Sequence, residues 1–188
     1  MMNSWNLPTS VTIAGVLWDI RTDYKIVINV FRALENPNYD NEEKIMYYLM
    51  SMIVDFENLP EEHYEEAMKA LGEFIDMGLD DGAPHPKTMD WEQDAHMIIP
   101  EINKQIGNGV DVRAMKMHWW TFLGYYMGIG ESTFTHIINI RNKRAKGKKL
   151  EKWEKEFERE NKSLVALKTK LSAAEIEEKE RLERMLNQ

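Results

Sequence analysis

Apolar residues along this chain recur mostly every three or four positions, the spacing that puts side chains on one face of a helix. The exception comes first. Val11-Thr12-Ile13 and Val16-Leu17-Trp18-Asp19-Ile20 are β-prone runs separated by Ala14-Gly15, which predicts a short hairpin with a two-residue turn. Thr22 or Asp23 then caps a helix striped by Tyr24, Val27, Ile28, Phe31 and Leu34, and Asn36-Pro37-Asn38 breaks it. A second helix starts near Asp40 or Asn41, with Glu42 and Glu43 complementing its dipole, and carries Ile45, Tyr48, Leu49, Met52, Ile53 and Phe56. Asn58-Leu59-Pro60 opens a third through Tyr64, Ala67, Met68, Leu71, Phe74 and Ile75, with Gly78 to terminate it. Residues 79–88 hold two Pro and a Gly and read as a loop. A fourth helix carries Trp91, Ala95, Ile98, Ile99, Ile102 and Ile106, and Pro100 should kink or split it. A fifth spans residues 112–127, and a sixth opens at Ser132 or Thr133 and runs through Phe134, Ile137, Ile138 and Arg141.

Beyond Arg141 the character changes. Residues 143–149 form a basic, Gly-containing hinge, after which Leu150, Trp153, Phe157, Leu164, Leu167 and Leu171 fall on a and d positions of a heptad frame, interrupted by Glu160. Such a segment can dock on its own body or pair with another helix. Ser172-Ala173-Ala174-Glu175 has the capping-box pattern and starts a last, highly charged helix. The expected fold is therefore mainly α: a compact bundle of about six helices with a short N-terminal β-hairpin, followed by one or two charged C-terminal helices. Residues 1–142 would form the helical core domain, and residues 143–188 the basic hinge and charged arm.

Charge sharpens this division. Residues 141–188 hold 15 Lys and Arg against 10 Asp and Glu, a net of +5, within a chain whose total is −8. The first 140 residues are thus strongly acidic, which argues against nucleic acid as a partner, because phosphate neutralisation needs a basic field. The absence of Cys excludes disulfides, thiolate metal sites and Cys nucleophiles. No run of about 18 apolar residues could span a membrane, and no signal-peptide pattern opens the chain, so a cytoplasmic protein is expected. The 13 Met are numerous; they either fill core gaps or supply adaptable apolar surface.

Reactive constellations are missing. No two of the five His lie at metal-binding helical spacing, and Glu92 with His96 at i, i+4 reads as a surface ion pair rather than a metal site. No phosphate loop or nucleophile elbow occurs. The expectation is a non-enzyme with no cofactor and no metal. What stands out instead is His118-Trp119-Trp120, followed by Phe122, Leu123, Tyr125, Tyr126 and Met127, apolar on nearly every face. Adjacent helical residues point about 100° apart, so one Trp should fill the core while the other reaches another face as a binding anchor. The candidate partner-binding residues are Trp119, Trp120, Phe122, Tyr126, Trp153 and Phe157. His118 reads as a half-buried side chain bonded to backbone.

Four stretches carry a resemblance: Ile20-Arg21-Thr22-Asp23-Tyr24 after the hairpin, Asp90-Trp91-Glu92-Gln93-Asp94-Ala95, Met117-His118-Trp119-Trp120-Thr121-Phe122-Leu123, and Ile137-Ile138-Asn139-Ile140-Arg141. In that order they resemble the phage gene-product-fifteen family over about residues 8–170. The resemblance implies a small helical protein encoded just before a tape-measure gene, acting as a tail assembly chaperone in the host cytoplasm. It implies the tape-measure protein as partner, with self-association and possible contact with the tail-tube protein. A structural tail or connector component of the virion, and a regulatory or host-interaction adaptor, are the competing readings.

Overall fold

The computed structural model describes residues 5–79 and 82–186. Strands β1 (Ser10–Ile13) and β2 (Val16–Asp19) pair antiparallel, with Ile13 opposite Val16 and Ser10 opposite Asp19. The turn residues Ala14 and Gly15 both have positive φ, 50° and 77°, as a two-residue hairpin turn with the correct twist requires. Ala14 N–H donates to Glu66 of the third helix at 2.9 Å, which pins the hairpin tip to the body. Val11 and Ile13 point into the core, while Val16 and Leu17 stay in solvent.

Helix α1 (Tyr24–Leu34) is N-capped by Asp23, and α2 (Asn41–Met52) by Asp40 in a capping box with Glu43. The Arg21 guanidinium folds over the end of α2, donating to the carbonyls of Met50, Ser51, Ile53 and Val54, so that a side chain satisfies groups the helix leaves open. Two short 3₁₀ turns, Phe56–Asn58 and Glu61–His63, lead into α3 (Tyr64–Ile75). The loop expected at 79–88 is irregular where described; residues 80 and 81 lie outside the described residues.

Helix α4 (Ala95–Ile106) runs through Pro100 as one element, so the expected split does not occur. Ile98 and Ile102 are buried on either side of the proline while Pro100 itself faces solvent. Helix α5 begins at Trp119 and ends at Met127, not near residue 112. Val112–Ala114 is a 3₁₀ turn, and the backbone after it is extended because it pairs with the chain before α1: Tyr24 N–H donates to Met117 at 3.0 Å and Trp119 N–H to Thr22 at 2.7 Å. Those bonds compete directly with a helical ladder. Helix α6 (Thr133–Ala145) is capped by Ser132 in a capping box with Thr135.

The heptad frame does not become a seam. Helix α7 (Lys152–Glu160) stops at Asn161, whose φ of −117° and ψ of 34° leave the helical region, and α8 (Lys162–Val165) is a single turn. Leu167 and Leu171 lie beyond it, outside any helix or strand. Leu150 and Val165 instead bury against Ile137 and Ile140 of α6, with Phe157, Leu164 and Met97 around them, as a second apolar cluster beside the main core. Helix α9 (Ala173–Leu186) follows, with Ser172 and Glu175 in the predicted reciprocal bonds.

Candidate functional site

The six candidate anchors do not converge. Trp119 and Trp120 are 1% and 4% exposed, and Phe122 is buried with them, so the expectation that one Trp reaches another face fails. The reason lies in α3. Trp119 Nε1–H donates to the Ile75 carbonyl and Trp120 Nε1–H to the Phe74 carbonyl, each at 2.7 Å. A helix end leaves its last carbonyls without partners, and the tandem indoles close two consecutive ones. His118 completes the arrangement as N-cap of α5. Its Nδ1 accepts from Trp120 N–H at 3.1 Å, which leaves the proton on Nε2, donated to Pro8 O at 2.9 Å. This is the half-buried, backbone-bonded histidine expected.

Tyr126 is half-buried, its ring 5.0 Å from Trp91 and its hydroxyl 3.2 Å from Met89 Sδ. Burial first, and then the nearby Asp94 charge, raise the pKa of its hydroxyl. Trp153 is 48% exposed on α7 with its ring 5.3 Å from His136, and Phe157 packs into the second cluster. Of the six, only Trp153 presents a large apolar face to solvent.

The apolar concavity lies elsewhere. Helices α1 and α4 both pack on α5 and leave a groove of about 430 Å³ between them. Its α1 wall is Lys25, Ile28, Asn29 and Arg32, at i, i+3, i+4 and i+7; its α4 wall is Ala95, Ile98 and Ile99. The floor is Trp91, Val112, Tyr24 and Phe122, the last two stacked at 4.4 Å with 7° between planes. Tyr24 also donates its hydroxyl to the Val112 carbonyl at 2.8 Å, so the floor's polar atom is satisfied. Burial, then the charges of Asp23 and Asp111, raise the pKa of this hydroxyl. At the rim, Arg32 pairs with Glu92 at 2.8 Å and Arg113 with Asp111 at 2.6 Å. In the sequence Ile28 falls on the stripe of the first helix and Ile98 and Ile99 on that of the fourth; Phe122 alone among the candidate anchors belongs to this groove.

Glu92 therefore does not pair with His96, as its spacing had suggested, because Arg32 reaches it across the groove. His96 Nδ1 instead sits 2.9 Å from the Gln93 carbonyl. Among the described residues no group of three or more His, Cys, Asp or Glu could hold a metal, and no helix is long and apolar enough to cross a membrane.

A buried ionic hub joins the C-terminal segment to the body. Arg141 uses all five guanidinium donors: Nε to Val165 O at 2.8 Å, Nη1 to Thr88 O and Asp94 Oδ2 at 3.1 and 2.7 Å, Nη2 to Asp94 Oδ1 and Leu164 O at 3.0 and 2.7 Å. Gln93 adds two bonds, accepting from Lys168 N–H and donating to Ala166 O. Glu154, fully buried, accepts from Lys143, Asn139 and the Glu151 amide. The I-x-I-R and D-W-E-Q-D elements are thus a structural clamp, and nothing in their spacing revealed that they meet.

Compared with known proteins, residues 4–167 match the family model described as Bacteriophage Gp15 protein. No curated protein and no solved structure matches.

Proposed function

The chain belongs to the bacteriophage Gp15 protein family, and from that premise we propose that it is a tail assembly chaperone that binds the tape-measure protein and keeps it soluble while tail-tube subunits assemble. The observation that carries the reading is the groove between α1 and α4. Its floor is apolar, its walls come from α1 and α4, and no reactive constellation is among its lining residues. That is the shape used to receive the apolar face of a partner helix, and a tape-measure protein on this reading is a long, largely helical chain with apolar stripes.

Magnitudes favour a reversible holder. Three apolar anchors at about 1.5–3 kcal/mol each bring a gross 5–9 kcal/mol before the cost of association and ordering. One groove then holds its client no more tightly than about micromolar. Many copies along one chain would keep it covered, and tube subunits could displace them one at a time. The acidic surface of residues 1–140 keeps such a coat soluble by mutual repulsion. Exposed Met50 and Met127 add adaptable surface around the body. In this role the protein is non-catalytic and works in the host cytoplasm, with self-association and contact with the tail-tube protein as further expectations.

Co-expression tests it. The tape-measure protein should stay soluble and co-purify with the full chain, and aggregate without it, while mass spectrometry of purified virions should lack this chain. Recovery of the chain in virions at the stoichiometry of a tail subunit would identify a structural component instead.

A further inference from the structure

We infer that copies of this chain associate head to tail, the basic face around Trp153 of one copy docking on the acidic face of α2 and α3 of the next. Both surfaces lie outside the α1–α4 groove, so the inference does not rest on the chaperone reading. Residues 40–76 hold eleven Asp and Glu against two Lys, and Arg21, folded over the end of α2, adds one more cation, for a net of −8. Ten of those eleven carboxylates are exposed, and among the described residues the one ion pair they make is Glu62 with His63 at 3.9 Å. Residues 131–162, in contrast, hold ten Lys and Arg against six Glu. Four of these cations are neutralised within the chain: Arg141 by Asp94, Lys143 by Glu154, Arg144 by Glu158 and Arg159 by Glu156. Lys146, Lys148, Lys149, Lys152, Lys155 and Lys162 are exposed and have no carboxylate partner among the described residues. Against them stand Glu131, Glu151 and Glu160, which leaves a net of +3.

Each face also has an apolar centre. Trp153, next to Lys152, is 48% exposed; on α2, Tyr47 and Met50 at i, i+3, and Val54 just past the helix, are 37%, 55% and 40% exposed. An aromatic anchor with cations beside it thus matches an apolar patch with carboxylates beside it, the pairing of anchor and charge that specifies a contact. The two faces do not meet within one copy. Packing runs from α3 and α2 through α1, α5 and α4 to α6, α8 and α7, and among the described residues no ion pair joins the two ends. A contact between unlike faces is heterologous, so a pair keeps one of each free and a third copy can add. The net charge of −8 on every copy opposes approach at long range, while the local match acts at contact.

Sedimentation equilibrium of the full chain tests this at about 0.1 M and about 1 M salt, where charges are screened beyond roughly 10 Å and 3 Å. At the lower salt the mean mass should rise with concentration above the 22.2 kDa of one chain, and at the higher it should fall back towards it. Lys149→Glu/Lys152→Glu and Asp55→Lys/Glu57→Lys, all at exposed positions without a side-chain partner among the described residues, should each be monomeric. An equimolar mixture of the two should associate again. Trp153→Ala should weaken association roughly 25-fold, the loss of about 2 kcal/mol for a central anchor at 1.4 kcal/mol per tenfold. Association that survives either charge-reversed variant, or that is indifferent to Trp153→Ala, overturns the assignment of these faces. A monomer at every concentration overturns it too, and capture of duplex DNA by that monomer would give the basic face a polyanion instead. Tape-measure solubility on co-expression tests the chaperone reading separately.

Discussion

Replacing Arg141 with methionine keeps an unbranched apolar stem and removes five donors at once. Its side chain is 4% exposed and that of Asp94 is fully buried, so water cannot take the place of either partner. The change leaves the Asp94 side chain with only the Asp90 amide against it, and strips the carbonyls of Thr88, Leu164 and Val165 of their guanidinium bonds. Removing one partner of a buried ion pair costs about 3–5 kcal/mol. For a chain of this size each kcal/mol lowers Tm by about 2–4 °C, a fall of roughly 6–20 °C in all. Asp94→Leu should cost a similar amount by stranding the guanidinium. The double variant Asp94→Leu/Arg141→Met should be clearly less destabilised than the two single changes added together, because neither charge is then left alone. Urea unfolding gives the cycle, and amide hydrogen exchange over residues 152–165 shows whether the arm loosens with it. Single variants that each cost less than about 1 kcal/mol, with unchanged exchange in the arm, would refute the assignment of this hub as what holds the arm down.

The tandem indoles predict a second result: Trp119→Phe leaves the Ile75 carbonyl without its donor and should cost about 1–3 kcal/mol, Trp120→Phe should cost less because the Phe74 carbonyl keeps the Met77 N–H at 3.4 Å, and Trp153→Ala should stay within about 0.5 kcal/mol. A neutral Trp119→Phe measured by urea unfolding would contradict this. Acid should weaken the fold through Asp90 and Glu154. Burial pushes the Asp90 carboxyl up, but the Gln93 and Glu92 amides and Lys87 together outweigh it and hold its pKa down; for Glu154, Lys143 leads, over opposing burial. Depressed carboxyl pKa values mean stability that is complete above about pH 4 and lost as pH falls below it, so urea midpoints at pH 6 and pH 3 should differ in that sense, and equal midpoints would deny it. Limited trypsin should cut first at the exposed Lys146, Lys148 or Lys149, yet the two fragments should co-elute on gel filtration, since Arg141, Gln93 and the Leu150–Val165 cluster span the nick. Separation of the fragments would show that the clamp is weak.

Local signals in the sequence were read well wherever the answer was itself local. The Ala14-Gly15 turn, the Asp23, Asp40 and Ser132 caps and the Ser172–Glu175 box depend on residues within a few positions, and all occur as expected. Errors arose where distant backbone decided the outcome. The segment before Trp119 looked helical because its periodicity suits a helix, but its amides and carbonyls pair with residues 22–24. The heptad pattern after Leu150 describes spacing correctly and yet docks on α6, since Asn161 breaks the helix the pattern requires. Trp119 and Trp120 are residue types suited to binding anchors, but the partners of their N–H groups are carbonyls 44 and 46 residues away. The groove was invisible for the same reason: its walls come from α1 and α4, and no single stripe shows where two helices fail to close on each other.

On the proposed function, the client lies in the α1–α4 groove. A photocrosslinking amino acid placed at Asn29, and in a separate variant at Ile99, can be irradiated in cells co-expressing the tape-measure protein. Crosslinks are expected from both positions to apolar-striped helical segments of that protein, and none from a control position at Trp153. Crosslinks from Trp153 alone, with a soluble client and silent groove positions, would contradict it.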